Sequence, residues 1–301
     1  MKQKPFVSII VPTHNRKQKL ARLIRSILQS DSSSQSIEII VVDDASTDGT
    51  HAAIKKQFPN VRVIRNKKQR MVSGARNVGI NFSRGEYLFF VDDDYVIDGN
   101  VISELVDLME TEKNMGTVGP IIYYYGAPQK IFCAGGKLRR PLYITTLILQ
   151  GKESDVIESE NIRLIECDFV STPFMMRRQI VEEIGFFDEV NFPIWGEEID
   201  FSLRIREKGY RQVILPRAKV WHDVPTARDY HLTEERAFFR GRSRVRFSLK
   251  YAWPRILLLP VDMLSFCYIL FGYNRDARVW KKFLLYFRGI IQGFALSKST
   301  L

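Results

Sequence analysis

Between residues 6 and 94, short apolar runs alternate with stretches of helical periodicity, and three of the runs end in a polar cluster. "FVSIIVP" stops at Pro12 and gives way to Thr13, His14 and Asn15. "IEIIVVDD" ends on Asp43 and Asp44 and continues through Ala45 to Ser46, and "EYLFFVDDD" ends on Asp92, Asp93 and Asp94. Runs of this kind predict buried strands of a parallel sheet. Between them, "KQKLARLIRSILQS" sets Leu20, Leu23, Ile24, Ile27 and Leu28 at helical spacing. "STDGTHAAIKKQF" predicts a helix opened by a polar cap at Ser46, Thr47 or Asp48. "VRVIRN" supplies a third strand and "VSGARNVGINFS" a third helix. The alternation predicts an α/β domain with a mostly parallel sheet flanked by helices. In such open sheets ligands bind outside the carboxyl ends of the strands, so the polar clusters mark the expected site.

Farther on, "VISELVDLMETEK" predicts a helix and "GTVGPIIYYY" a strand, whereas residues 126–165 look irregular. "RRQIVEEIG" and "EEIDFSLRIREKG" predict helices, the second ending at Gly209, and "RQVILPRAKVWH" predicts short strands up to His222. The 301 residues, 45% of them hydrophobic, are enough for one large domain with an appendage. Cys133, Cys167 and Cys267 are widely spaced and form neither a disulfide framework nor a metal-binding pair, which suits a reducing, cytosolic setting. The N-terminal apolar stretch is cut by Pro12 and reads as a first strand, not a signal peptide.

The net charge of +11 is concentrated in the tail: residues 236–301 carry 13 Lys and Arg against Asp262 and Asp276, while residues 1–235 balance at 32 of each sign. Such asymmetry marks contact with something anionic. The apolar stretch 256–273, as a helix, would be about 27 Å long, barely enough to span a bilayer. Pro260 interrupts it, Asp262 opposes burial in lipid, and both flanks are basic. Amphipathic or re-entrant helices at the cytoplasmic membrane surface are therefore expected, with a soluble packed subdomain as the alternative. The apolar content exceeds what a nucleic-acid-binding arm needs. The expected division is a catalytic domain over residues 1–230 and a basic, apolar helical region over residues 231–301.

Asp92 and Asp94 stand two residues apart, so on an extended chain they point to one side and Asp93 to the other. Converging carboxylates attract a divalent cation, and Mg2+ or Mn2+ held this way takes its other ligands from phosphates and water. An acidic turn facing water is the alternative. A carboxylate at Asp43 suits a base N–H or a ribose hydroxyl, or else a helix cap. Glu197 and Glu198 open a helix, where negative charge is favoured; the functional alternative is a general base, with Trp195 offering a flat face to a sugar ring. His222, a lone histidine after a strand, is more often structural than a ligand. Neither G-x-G-x-x-G nor G-x-x-x-x-G-K-[ST] occurs, which argues against a dinucleotide fold or a P-loop NTPase.

Together, "VSIIVPTHNR", "IIVVDDASTDGT", "GARNVGI", "YLFFVDDD", "PFMMRRQIVEEIGFFDE", "WGEEIDFSLRIREKGY" and "AKVWH" resemble, in order and spacing, the family 2 glycosyltransferases. These are inverting enzymes of the GT-A fold that use a nucleotide-diphosphate sugar, and the resemblance covers about residues 5–225. It implies that Pro12, Thr13, Asn15, Asp43, Asp44 and Ser46 surround the nucleotide, with Asp43 on the base. Arg76 would help hold the nucleotide or diphosphate. Asp92 and Asp94 would form the family's D-x-D, Asp92 on the ribose or metal and Asp94 on the metal, with Asp93 beside them in the donor site. His222 would complete a Mg2+ or Mn2+ site. The catalytic base falls at Glu198, where Asp is usual in the family, so that Glu197 stays in contention. The donor would be a nucleotide-diphosphate sugar, and the acceptor a hydroxyl, lipid-linked or on a cell-surface glycan, beside Trp195. Two other classes are set against this: a sugar nucleotidylyltransferase, whose Gly-rich phosphate loop "VPTHNRKQKL" lacks, and a non-catalytic membrane scaffold, which has no need of the acidic set.

Overall fold

A computed structural model describes residues 6–30, 36–224, 233–252, 256–257, 259–273 and 278–296. The expected boundary between the two regions, near residue 230, lies outside the described residues. The predicted alternation is present as β1 (Phe6–Thr13), α1 (Lys17–Gln29), β2 (Ser36–Asp43), α2 (Thr50–Gln57), β3 (Arg62–Arg65), α3 (Met71–Phe82) and β4 (Tyr87–Phe90). There follow β5 (Tyr95–Ile97), α4 (Val101–Thr111), β6 (Met115–Tyr124), β7 (Ala127–Cys133), β8 (Gly136–Arg139), β9 (Ile144–Leu147), α5 (Asp155–Ser159), β10 (Ile165–Glu166) and β11 (Phe174–Arg177). The chain continues through α6 (Arg178–Ile184), α7 (Glu197–Glu207), β12 (Arg211–His222), α8 (Glu234–Tyr251), α9 (Leu259–Tyr273) and α10 (Val279–Ala295).

The main sheet runs β10-β12-β6-β11-β4-β1-β2-β3. Its β4-β1-β2-β3 half is parallel, β6 and β12 are parallel to each other, and β11 is inserted antiparallel between the two groups. The molecule is thus an α/β fold with a parallel core, as expected. Val7, Ile9, Ile10 and Val11 of β1 are fully buried, as a strand covered on both faces requires. In α1, Leu20, Leu23, Ile24 and Ile27 pack inward, while Leu28 falls past the edge of that stripe and is exposed. Gly79 brings α3 down on β1: a Cβ there would lie 2.3 Å from Ile10 Cγ2.

Several expectations need correction. β4 stops at Phe90, and the chain is already turning at Asp93 and Asp94, so the alternation of an extended strand does not govern the acidic triplet. α2 begins later than expected, at Thr50, after Gly49 at φ +81°. Of the candidate caps, Asp48 takes bonds from Thr50 N at 2.9 Å and from its hydroxyl. Residues 126–165 hold β7, the β8–β9 hairpin and α5, short elements whose alternation is masked by Gly135, Gly136 and Pro141. Residues 211–222 form one strand, with a register shift between Leu215 and Lys219. Pro260 does not break α9; it lies in the first turn, where its missing N–H has no helical partner to lose.

α8 and α10 meet backbone to backbone. A Cβ on Gly289 would fall 2.0 Å from the Phe238 carbonyl oxygen, and one on Gly241 would fall 2.2 Å from that of Tyr286. No described helix is long and apolar enough to cross a membrane. Because the opposing atoms are backbone, Gly289→Ala is expected to lower stability by about 1–3 kcal/mol in urea unfolding. Gly99→Ala, whose Cβ meets nothing within 4 Å, should leave the midpoint in place.

Candidate active site

The strand ends bring the polar clusters to one edge of the sheet. Asn15, at φ +54°, directs its Oδ1 to Thr47 N at 2.7 Å, and its own N–H reaches Ser46 Oγ at 2.9 Å. The first two clusters therefore brace each other. Asp43 is fully buried at the end of β2. Its Oδ1 accepts from Ser46 N at 2.9 Å, but Oδ2 has no hydrogen-bond partner and stands 3.6 Å from Arg65 Nε and 3.7 Å from His51 Nδ1. A buried carboxylate oxygen without a hydrogen-bond donor is uncommon, and here only the flanking Arg65 and His51 side chains oppose it. Asp44 is committed elsewhere: it takes Asn66 Nδ2 at 2.7 Å and Arg70 N at 2.9 Å, and so fixes the loop into α3. Pro12 is the last residue but one of β1 and lies within the sheet, paired to Val42.

The acidic triplet divides differently from the extended-chain expectation. Asp93 does not face away into water; it is buried, accepting from Thr13 Oγ1 at 2.7 Å and from Arg16 Nη1 at 3.0 Å. Burial pushes its carboxyl up to about 7 against the opposing charge of Arg16. Arg16 Nη1 also holds Asp94 Oδ2 at 2.6 Å, while Asp94 Oδ1 meets His222 Nε2 at 3.3 Å. Burial opposes charge on Asp94 too, yet His222 and Arg16 outweigh it and hold the group well below the usual carboxylate range. The His222 ring stacks on Tyr95 with centroids 4.1 Å apart. Tyr95 OH in turn donates to the Thr172 carbonyl at 2.7 Å.

Asp92 turns the other way, to Arg76. This arginine is fully buried on α3, and its Nη2 reaches Asp92 Oδ1 at 3.0 Å, Thr172 Oγ1 at 2.6 Å and Glu198 Oε1 at 3.4 Å. Its Nη1 lies 3.6 Å from Glu197 Oε1. Burial alone would lower the arginine's pKa, but Asp92, Glu198 and Glu197 together raise it. Arg76 thus ties the acids together and does not stand open to a diphosphate. Glu198 Oε1 additionally accepts from Thr172 N at 2.9 Å and from the Thr172 hydroxyl, so its bonds fall on one oxygen. Burial, then the neighbouring charge of Glu198, pushes Glu197 upward and favours its protonated form. Trp195, at φ +69°, precedes α7 and faces Arg240 of α8, whose guanidinium lies 5.4 Å from the ring centroid.

The expected metal ligands do not gather as a trio. Among the described residues no three His, Cys, Asp or Glu side chains form a metal-binding group. Asp94 and His222 meet, and Asp92 stands apart on Arg76. A carboxylate beside an imidazole still suits Mg2+ or Mn2+, because such ions in phosphate sites draw most of their ligands from phosphates and water.

Arg16, Thr172 and the brace behind α7 were not singled out in the sequence. Asp200, fully buried one turn into α7, takes Lys250 Nζ at 2.7 Å and Tyr251 OH at 2.6 Å from α8, and Arg204 at 2.9 Å. Arg246 of α8 donates to Asn191 Oδ1 at 2.7 Å, and Ser243 donates to the Ile194 carbonyl at 3.1 Å. "THNR" carries Arg16 in plain view, but nothing in one sequence pairs Lys250 with Asp200.

The pattern that defines glycosyl transferase family 2 matches residues 8–185. The chain belongs to that family. It is 29% identical over 190 residues to the glycosyltransferase GlyG of Streptococcus pneumoniae, covering 62% of this chain and 60% of that one. It is 37% identical over 110 residues to the UDP-Glc:alpha-D-GlcNAc-diphosphoundecaprenol beta-1,3-glucosyltransferase WfaP of Escherichia coli, covering 36% of this chain and 43% of WfaP. Among curated relatives that it matches, the chain spans between 27% and 60% of the length of the first three. A structure of GalNAc-T7 with UDP, GalNAc and Mn2+ superposes with a TM-score of 0.62 at 17% identity, covering 91% of this chain and 58% of that one, a likeness of fold.

Removing the ammonium that faces Asp200 strands part of a buried charge. Lys250→Met is expected to cost about 1.5–3 kcal/mol in urea unfolding, and Lys250→Arg to recover most of it.

Proposed function

We propose that the chain is a metal-dependent, inverting glycosyltransferase that moves a sugar from a nucleotide-diphosphate donor to a hydroxyl acceptor, lipid-linked or on a cell-surface glycan. The observation that carries this reading is the Arg76 cluster, which holds Asp92 from the donor side and Glu197 and Glu198 from α7 around one buried cation. WfaP, by name, acts on a lipid-diphosphate acceptor, which supports the acceptor class. In this reading residues 1–230 form the catalytic unit and residues 231–301 the appended helices.

The roles follow from what each side chain has left to give. Asp43 Oδ2 accepts from the nucleotide base, and Thr13, Asn15 and Ser46 shape the wall beside it. Asp94 and His222 would hold Mg2+ or Mn2+, with Asp92 and Asp93 lining the donor side. When bound, the ion supplies positive charge against the diphosphate leaving group. Glu198 is favoured over Glu197 as the base because Thr172 and Arg76 fix its Oε1 and leave Oε2 to the acceptor hydroxyl, whereas Glu197 favours its protonated form. Glu198 takes the hydroxyl proton as the acceptor oxygen bonds to the anomeric carbon. The bond from that carbon to the diphosphate oxygen breaks on the opposite face, and its electron pair leaves with the nucleotide.

Glu198→Gln is expected to lower turnover at least about 100-fold while retaining donor affinity, whereas Glu197→Gln, which mimics the protonated acid, costs far less. Nucleoside-diphosphate release and donor titration read the two effects, and near-normal turnover in Glu198→Gln would place the base elsewhere.

The C-terminal helices support docking on an anionic membrane surface. Val261, Leu264 and Tyr268 on α9, and Trp280, Leu284 and Ile291 on α10, recur at helical spacing and are more than half exposed. The same region carries the chain's positive excess, each near-surface charge worth about 1 kcal/mol on anionic lipid. In sedimentation assays the protein should bind phosphatidylserine-containing vesicles. Leu264→Glu with Leu284→Glu should abolish that binding; if the pair has no effect, another surface is responsible.

A further inference from the structure

A cavity of about 160 Å³ lies between the β8–β9 hairpin, the start of α7 and α8. Its walls include Tyr143, Trp195, Ile199 and Phe247, together with the guanidinium-bearing side chains of Arg240 and Arg244, and contain no carboxylate. Arg240 lies over the Trp195 ring at 5.4 Å, and at the hairpin Arg140 lies over Tyr143 at the same separation. Arg244 uses Nη1 on Asp262 of α9, at 2.9 Å, which occupies one of the donors of its fork. Gly196, in the cavity wall, is followed directly by Glu197 and Glu198.

A site for a neutral sugar alone would present amides or carboxylates to its hydroxyls. Here the charged groups in the wall are all cationic, and they stand beside aromatic faces. A guanidinium fork matches the oxygens of a phosphate, and aromatic walls suit an apolar or ring-shaped neighbour. We propose that this cavity is an acceptor subsite that holds a phosphate or diphosphate ester, set next to the hydroxyl from which Glu198 takes its proton. The inference rests on the glycosyltransferase reading above, and it adds that the acceptor is an anion before the sugar reaches it.

Calorimetry on the full chain separates the two readings. One titration uses UDP or GDP with Mn2+; the others use farnesyl diphosphate, farnesol and glycerol phosphate. Farnesyl diphosphate is expected to bind, and Arg240→Gln and Arg244→Gln each to weaken it at least about tenfold without changing the nucleotide titration. An unchanged urea midpoint in each variant separates loss of phosphate binding from a loosened α9, which Arg244 holds through Asp262 and Arg240 through the Phe266 ring. Glycerol phosphate binding as tightly as farnesyl diphosphate would support the subsite and assign the phosphate to a water-soluble polymer, whereas a preference for farnesyl diphosphate would support it and assign a lipid carrier. Farnesol binding equally well, or unchanged affinity in both variants, overturns the phosphate subsite. So does nucleotide binding with no binding of either phosphate probe, which leaves the glycosyltransferase reading intact. Absence of nucleotide binding instead sinks that reading.

Discussion

Asp92 after β4 and the two acids at the start of α7 are arranged around one buried cation. Arg76 lies on a helix that Gly79 allows to settle closely on β1, so its guanidinium ends up in the interior. A buried charge is tolerable only when opposed and hydrogen-bonded. Three parts of the chain supply the opposing charge and the hydrogen bonds of Nη2: the turn after β4 with Asp92, the segment before β11 with Thr172, and the start of α7 with Glu197 and Glu198; Nε and Nη1 make no hydrogen bond. Their mutual distance is therefore set by the size of a guanidinium, and Asp92 and the two glutamates of α7 are held in register around it.

A second path joins the same ends. Asp94 meets His222, His222 stacks on Tyr95, Tyr95 bonds the Thr172 carbonyl, and the Thr172 amide bonds Glu198. The acids at the end of β4 and those at the start of α7 thus belong to one connected network. Displacement of either end would have to bend both paths. From behind, α8 grips Asp200, Asn191 and the Ile194 carbonyl, so the appended helices bear on the same segment that carries Glu198.

The sequence was most legible where burial is symmetrical. Strands covered on both faces give unbroken apolar runs, which made β1, β2 and β4 readable, as was α7 with Gly209 behind it; β3, at the sheet edge, has no buried residue and was read from its place in the alternation. Legibility failed where the backbone left regular structure. The acidic triplet was read by strand alternation, yet the strand ends at Phe90, so Asp93 is inside and Asp92 and Asp94 part company. Arg76 was read by its family position as a ligand for the nucleotide or diphosphate; the three-dimensional structure adds that it is buried among Asp92, Glu197 and Glu198. The strands between Ala127 and Leu147 were hidden for a simpler reason: Gly135, Gly136 and Pro141 interrupt the pattern, and β8 and β9 have only four residues each.

The glycine seam between α8 and α10 has a practical consequence. A version cut before α9 to improve solubility would also discard the surface that closes over Gly241. It would strip Arg246 of the Gly293 and Leu296 carbonyls to which it donates. Arg246 also anchors Asn191, so the damage would travel inward toward α7. Preparing a well-behaved sample is therefore a matter of repainting the outer faces of α9 and α10 with polar side chains while leaving the chain at full length.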